Sequence, residues 1–137
     1  MKIYYREKSG GIEILRCFGM GGRVEIPGMI EDKLVVSAAP YAFSSHMDEK
    51  EELKNACLWK VSDGLGFGRE EHVLAGNDVE EIVFPDTLKE IGRYIFYGCG
   101  NLRKLEFSDS LMQICCGAFT GCHALEKLTV HMRQGKK

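Results

Sequence analysis

The chain has 137 residues, 45% of them hydrophobic and 28% charged, which suits one domain with its own core. A formal charge of −2 and a pI near 6.1 provide no global field that would draw in nucleic acid or an anionic membrane, so neither is an expected partner. Residues 1–20 alternate charged and apolar side chains and lack the apolar run of about 7–15 residues that a secretory signal needs. Nothing approaches a membrane span, and the chain reads as cytoplasmic, or as surface-exposed if a signal has been trimmed from it.

Residues 2–18 are expected to form a β-hairpin. KIYYREK and IEILRCF are two alternating runs joined by Ser9-Gly10-Gly11, residues that tolerate positive φ. Residues 1–22 are assigned as an N-terminal cap. Arg23-Val24-Glu25-Ile26-Pro27 then opens a first coil over 23–55, with the proline ending its strand. Val35, Ala38 and Phe43 stand in this coil where Leu88, Ile91 and Phe96 stand in a later one, and about one extra turn falls within 28–34. SSHMDEKEELKNACLW predicts an inserted helix over residues 47–56, with Ser44, Ser45 or Asp48 as N-cap, acidic residues in its first turn and Leu53, Ala56 and Cys57 on its apolar face.

The clearest pattern lies between Val79 and Val130, where one motif is written twice at a spacing of 23 residues. Ile82, Phe84, Leu88, Ile91, Phe96, Gly98, Cys99 and Leu102 return as Leu105, Phe107, Leu111, Ile114, Phe119, Gly121, Cys122 and Leu125. A fixed period carried by apolar residues and glycine is the mark of stacked structural repeats. Coils are therefore expected at 79–101 and 102–124, with 125–137 starting another. Counting 23 back from Ile82 and Phe84 reaches Trp59 and Val61, so residues 56–78 are expected to form a degenerate coil, with Ser62 in place of proline and Gly64, Gly66 and Gly68 in its middle. Each coil would contribute a short strand that pairs in parallel with the next at about 4.8 Å. Leu105 and Phe107 would then point inward, and Lys104 and Glu106 outward. The expected fold class is an α/β repeat solenoid of coils about 23 residues long.

The runs I-x-F-P-D-T-L-x-x-I-G-x-x-x-F-Y-G-C-x-N-L at 82–102 and L-x-F-x-D-S-L-x-x-I-C-x-x-A-F-T-G-C-x-A-L at 105–125 resemble the bacterial leucine-rich repeat subfamily typified by the BspA surface antigens. Residues 24–43 are similar to the longer first repeat of that family. The resemblance implies a curved leucine-rich repeat array used for protein or matrix binding, with no catalytic residue to carry over. Cys115 and Cys116 depart from the pattern, as does the missing secretion signal.

Candidate chemistry is sparse. Cys99, Cys115, Cys116, Cys122 and His123 form the one cluster of ligand-type side chains, but no CxxC pair is present, so no metal or cofactor is expected. Cys17, Cys57, Cys99 and Cys122 read as buried free thiols, although stacking makes a Cys99–Cys122 disulfide sterically conceivable. Gly64-Leu65-Gly66-Phe67-Gly68 fails as a dinucleotide fingerprint, because no strand–helix unit follows. His46, His72, His123 and His131 lie apart from any nucleophile, and no enzyme activity is expected. The remaining candidate site is the outward strand face: Arg23, Leu58, Glu81, Lys104 and Lys127 in one row, and Glu25, Lys60, Val83, Glu106 and Thr129 in the next. The resulting expectation is a non-enzymatic scaffold that binds a protein partner, with a fragment of a surface adhesin as the alternative. An array ending just after one strand leaves its last coil uncovered, which predicts either a longer native protein or self-association through that end.

Overall fold

A computed structural model of the chain describes residues 1–61 and 71–132. The glycines at 64, 66 and 68, with Ser62 and Leu65, lie outside the described residues. The hairpin forms as its turn chemistry predicts. β1 (Lys2–Lys8) and β2 (Gly11–Gly19) pair antiparallel, and Ser9 and Gly10 between them take φ of 52° and 81°, the left-handed pair that a two-residue hairpin turn requires. β3 (Gly22–Glu25) follows, and Pro27 turns the chain out of it.

The extra turn expected within 28–34 is a second hairpin. β4 (Met29–Ile30) and β5 (Lys33–Ala38) pair across Glu31 and Asp32, both in the left-handed region. Helix α1 (Glu49–Glu52) comes next, then β6 (Cys57–Lys60), β7 (His72–Val73) and a 3-10 turn at Gly76–Asp78. The clean repeats supply β8 (Val79–Val83), β9 (Glu90–Ile91), β10 (Lys104–Ser108), β11 (Gln113–Ile114) and β12 (Lys127–His131).

Among the described residues these strands form two sheets. One runs β3-β8-β10-β12 and is parallel throughout. The other runs β11-β9-β5-β2-β1-β6, with β4 joined to β5 and β7 to β2. The core lies between them. Val24, Ile82 and Leu105 are in register on the first sheet, Ile14, Ala38 and Ile91 on the second, and all six are buried. Between the sheets Phe43, Phe96 and Phe119 stack at centroid separations of 6.1 and 5.8 Å, with Phe84 at 6.2 Å from both Phe43 and Phe96. The alignment of Ala38 with Ile91 and of Phe43 with Phe96 is thus realised in space.

Close coil-to-coil approach depends on Gly92, where a Cβ would lie 2.4 Å from the backbone nitrogen of Pro40. It also depends on Gly117, whose Cβ would meet the Tyr94 ring at 2.3 Å. Gly117 stands at the corner position occupied by Tyr41 and Tyr94 in the earlier coils. All three take positive φ, at 60°, 52° and 71° in chain order.

The described residues of the span 56–78, namely 56–61 and 71–78, add no strand to the parallel sheet between β3 and β8. β6 pairs antiparallel with β1, Lys2 facing Lys60 and Tyr5 facing Cys57, and so extends the cap sheet. β3 pairs directly with β8, the Ile26 N–H donating to Val83 O at 2.9 Å, which leaves no place between them for another strand. Leu58 and Lys60 consequently leave the predicted ladder. The helix expected over 47–56 is also confined to Glu49–Glu52; Asp48 caps it by accepting from the Glu51 N–H at 3.3 Å, and none of its residues is buried. Without an apolar face against the core, its length is left to weak local propensity. The expected α/β character accordingly reduces to strands, turns and this single helical turn among the described residues. Cys57, expected to be buried, is exposed on β6, whose far edge has no neighbour in the sheet path.

Candidate partner-binding face

The outward face of the parallel sheet is built by register. Arg23 pairs with Glu81, Glu81 with Lys104 and Lys104 with Lys127; Glu25 pairs with Val83, Val83 with Glu106 and Glu106 with Thr129. Eight of the ten predicted positions therefore share one face. Alternation along each strand puts Val24, Ile82 and Leu105 into the core and their neighbours outward.

Glu81 is the electrostatic centre of this face. Its carboxylate lies 3.5 Å from Arg23 Nε, 3.5 Å from Lys104 Nζ and 3.9 Å from an Arg103 nitrogen, while Arg103 also reaches Glu80 at 3.6 Å. Arg23 is further held by a short ion pair to Glu25. Toward β12 the balance changes. Lys127 sits opposite Lys104, and no carboxylate within ion-pair distance of it is seen among the described residues. His131, in register with Ser108, places Nε2 3.1 Å from Glu106 and extends the face by one row that the sequence reading left out. The 23-residue offset from Ser108 to His131 was the available signal.

Residues 70–135 match the family model described as BspA type leucine rich repeat region (6 copies). This region is a BspA-type leucine-rich repeat. No curated protein and no solved structure matches the chain. Repeats of this family are non-enzymatic, and leucine-rich repeats generally mediate protein–protein interaction through such stacked strand faces.

The repeat cysteines of the BspA-type region have packing roles. The Cys99 thiol donates to Phe43 O at 3.2 Å and the Cys122 thiol to Phe96 O at 3.5 Å, so each ties its turn to the phenylalanine of the preceding coil. Both are free. Burial pushes the Cys99 thiol up to about 12 and the Cys122 thiol up to about 11; the buried Cys17 thiol lies at about 12 for the same reason. Such groups are protonated at neutral pH and poor nucleophiles. Among the described residues no group of three or more His, Cys, Asp or Glu could hold a metal ion. No described helix is long and apolar enough to cross a membrane.

The second sheet carries a polar row of its own. Glu13, Ser37, Glu90 and Gln113 are register partners along β2, β5, β9 and β11. Lys8 Nζ lies 3.2 Å from Glu13 and 3.1 Å from Glu90, and the Ser37 hydroxyl donates to both carboxylates. The hydrogen bond to Glu90 is the main cause that holds the Lys8 ammonium above its ordinary pKa. Beside this row a cavity of about 280 Å³ is floored by Ala38, Pro40 and Gly92 and walled by Arg93, Cys115 and Cys116. Each polar residue precedes a position of the apolar row, namely Ile14, Ala38, Ile91 or Ile114, but the 23-residue offset links only Glu90 to Gln113, so the rest of the row was not legible from the period.

Proposed function

We propose that the chain is a single-domain, curved leucine-rich repeat solenoid that acts in the cytoplasm as a non-enzymatic scaffold and binds a protein partner on the outward face of β3, β8, β10 and β12. The observation that carries this reading is the row Arg23-Glu81-Lys104-Lys127, four charged side chains held in register on parallel strands. Glu81 is shared by cations on both sides, whereas the Lys104–Lys127 end has surplus positive charge, which favours an acidic segment of the partner. Exposed pairs of this kind contribute little to stability, about 0–1 kcal/mol each, so the row is free to serve recognition.

The test is affinity capture from the source cell with the full chain and with Lys104→Glu. The expected result is a protein retained by the wild type and reduced at least tenfold on Lys104→Glu, with the thermal melt unchanged. Equal retention by a Lys104→Glu/Lys127→Glu double variant would exclude this face.

A further inference from the structure

The last strand carries an edge whose geometry selects a partner. The Lys127 N–H donates to Arg103 O at 3.0 Å, and His131 O accepts from the Asp109 N–H at 2.9 Å. A strand turns successive amide groups to opposite sides, so Lys127, Thr129 and His131 bond to β10 while Leu128 and Val130 direct their N–H and C=O groups away from it. β12 is the end of its sheet, and nothing among the described residues pairs with those four groups. The apolar layer ends at the same place. Leu105 and Phe107 are 0% and 7% exposed, while their register partners Leu128 and Val130 are 51% and 50% exposed. On the second sheet Ile91 is fully buried and its partner Ile114 is 43% exposed, with the exposed Met112 close by in the chain. Phe107, Leu111, Met112, Ile114 and Val130 line a cleft of about 360 Å³ at this end.

We infer that two copies of this chain pair end to end through β12, antiparallel, about a two-fold axis at Thr129. The edge is self-complementary in that register. Leu128 faces Val130 of the second copy and each exchanges both backbone hydrogen bonds with it, so the four outward groups of each copy are all satisfied. The same pairing sets the open Leu128–Val130 rows against one another and removes apolar surface from water. Charge is also complementary. Lys127 faces His131 of the second copy, whose ring is paired with Glu106, so a lysine with no carboxylate partner among the described residues meets a histidine–carboxylate pair. A register displaced by one residue would set Leu128 or Val130 against a position whose amides already bond to β10. One displaced by two would set Val130 against Glu126, whose N–H already donates to Arg103 O, or Leu128 against Met132, beyond the end of β12. The edge shares Lys127, Thr129 and His131 with the outward face, but Val130→Pro alters the edge through an inward residue and Lys104→Glu alters the face on β10, so loss of dimer and loss of a captured partner are read from different variants.

Sedimentation equilibrium of the full chain is expected to show a dimer of the 15.4 kDa protomer. Val130→Pro removes an N–H that β10 does not use, and should raise the dimer dissociation constant at least tenfold while far-UV circular dichroism and monomer melting stay unchanged. Register is read by cross-linking in a background with the exposed Cys57 and Cys116 changed to Ser. Thr129→Cys, on the axis as a non-hydrogen-bonded pair about 4.5 Å apart between Cα atoms, should give a disulfide-linked dimer with diamide, and Lys127→Cys should not. A wild type monomeric at all concentrations, a Val130→Pro dimer of unchanged affinity, or cross-linking of Lys127→Cys in preference to Thr129→Cys would each overturn the inference.

Discussion

The Arg16 guanidinium, 2% exposed, grips the Glu49 carboxylate with Nε at 3.1 Å and a terminal nitrogen at 3.0 Å. Its other terminal nitrogen donates to the carbonyls of Tyr41, Ala42 and Ser44 at 3.1, 3.2 and 2.6 Å. One side chain of the cap hairpin thus closes the corner of the first coil and anchors the inserted helix to it. Burial holds this arginine below its ordinary pKa, opposed by the nearby Glu49 charge. Truncation leaves three carbonyls without their donor, so Arg16→Met should cost about 2–4 kcal/mol. Glu49→Gln, at a partly exposed position, should cost under about 1 kcal/mol. Urea unfolding midpoints at constant m-value check the contrast.

A single methyl group should cost more at Gly92 and Gly117 than at Gly10. Gly92→Ala drives a Cβ into the backbone of Ala39 and Pro40 and should cost about 3 kcal/mol. Gly117→Ala must also displace the Tyr94 ring, and a similar loss is expected, with a change in near-ultraviolet tyrosine dichroism. Gly10→Ala has open space around it and only its φ of 81° to oppose it, for about 1–2 kcal/mol. Equal losses at Gly10 and Gly92 would contradict the packing described.

Phe96 touches three aromatic rings, those of Phe43, Phe84 and Phe119, and joins adjacent coils. Phe96→Ala should therefore cost about 3–5 kcal/mol, more than truncation of the less buried Phe119. Thermal melts of the two variants decide this.

The thiols predict both a labelling order and a pH dependence. Cys57 and Cys116 should react with a maleimide in the native state, and Cys17 and Cys99 only on unfolding. The folded Cys17, Cys99 and Cys122 pKa values lie above the ordinary 9.0, so the unfolded chain releases protons first as pH rises. Their contribution is complete below pH 9 and is lost between about pH 9 and 12, at about 1.4 kcal/mol per pH unit for each of the buried Cys17 and Cys99 thiols while it ionises only in the unfolded chain, and less for the partly exposed Cys122. Urea titrations at pH 8 and pH 10 should show the fall, and Cys17→Ala should flatten it.

The two ladders differ in how far their partners could be read from the chain. The offset from Glu81 to Lys104 to Lys127 is a constant 23 residues, and with Val83, Glu106 and Thr129 it places six outward residues on one face; Arg23 and Glu25 join them through the shared apolar–polar–apolar–Pro run. The link from Val24 to Ile82 crosses an insertion that does not belong to the period. Cys57 to Val61 is apolar at four of five positions, as many strands are, and counting back by 23 assigned it to the wrong sheet.

The sequence by itself determined the repeat, its inward apolar residues, the hairpin turn at Ser9-Gly10 and the outward row on the clean coils, because period and turn chemistry are local properties. Only the tertiary structure decided that β3 lies directly against β8 and that residues 57–60 pair with β1. It also decided that Arg16 reaches Glu49 and that Leu128 and Val130 end the apolar layer half exposed. Those outcomes depend on which strand edge is free and which side chains come within a few ångströms across long stretches of chain, and no spacing along the chain encodes either.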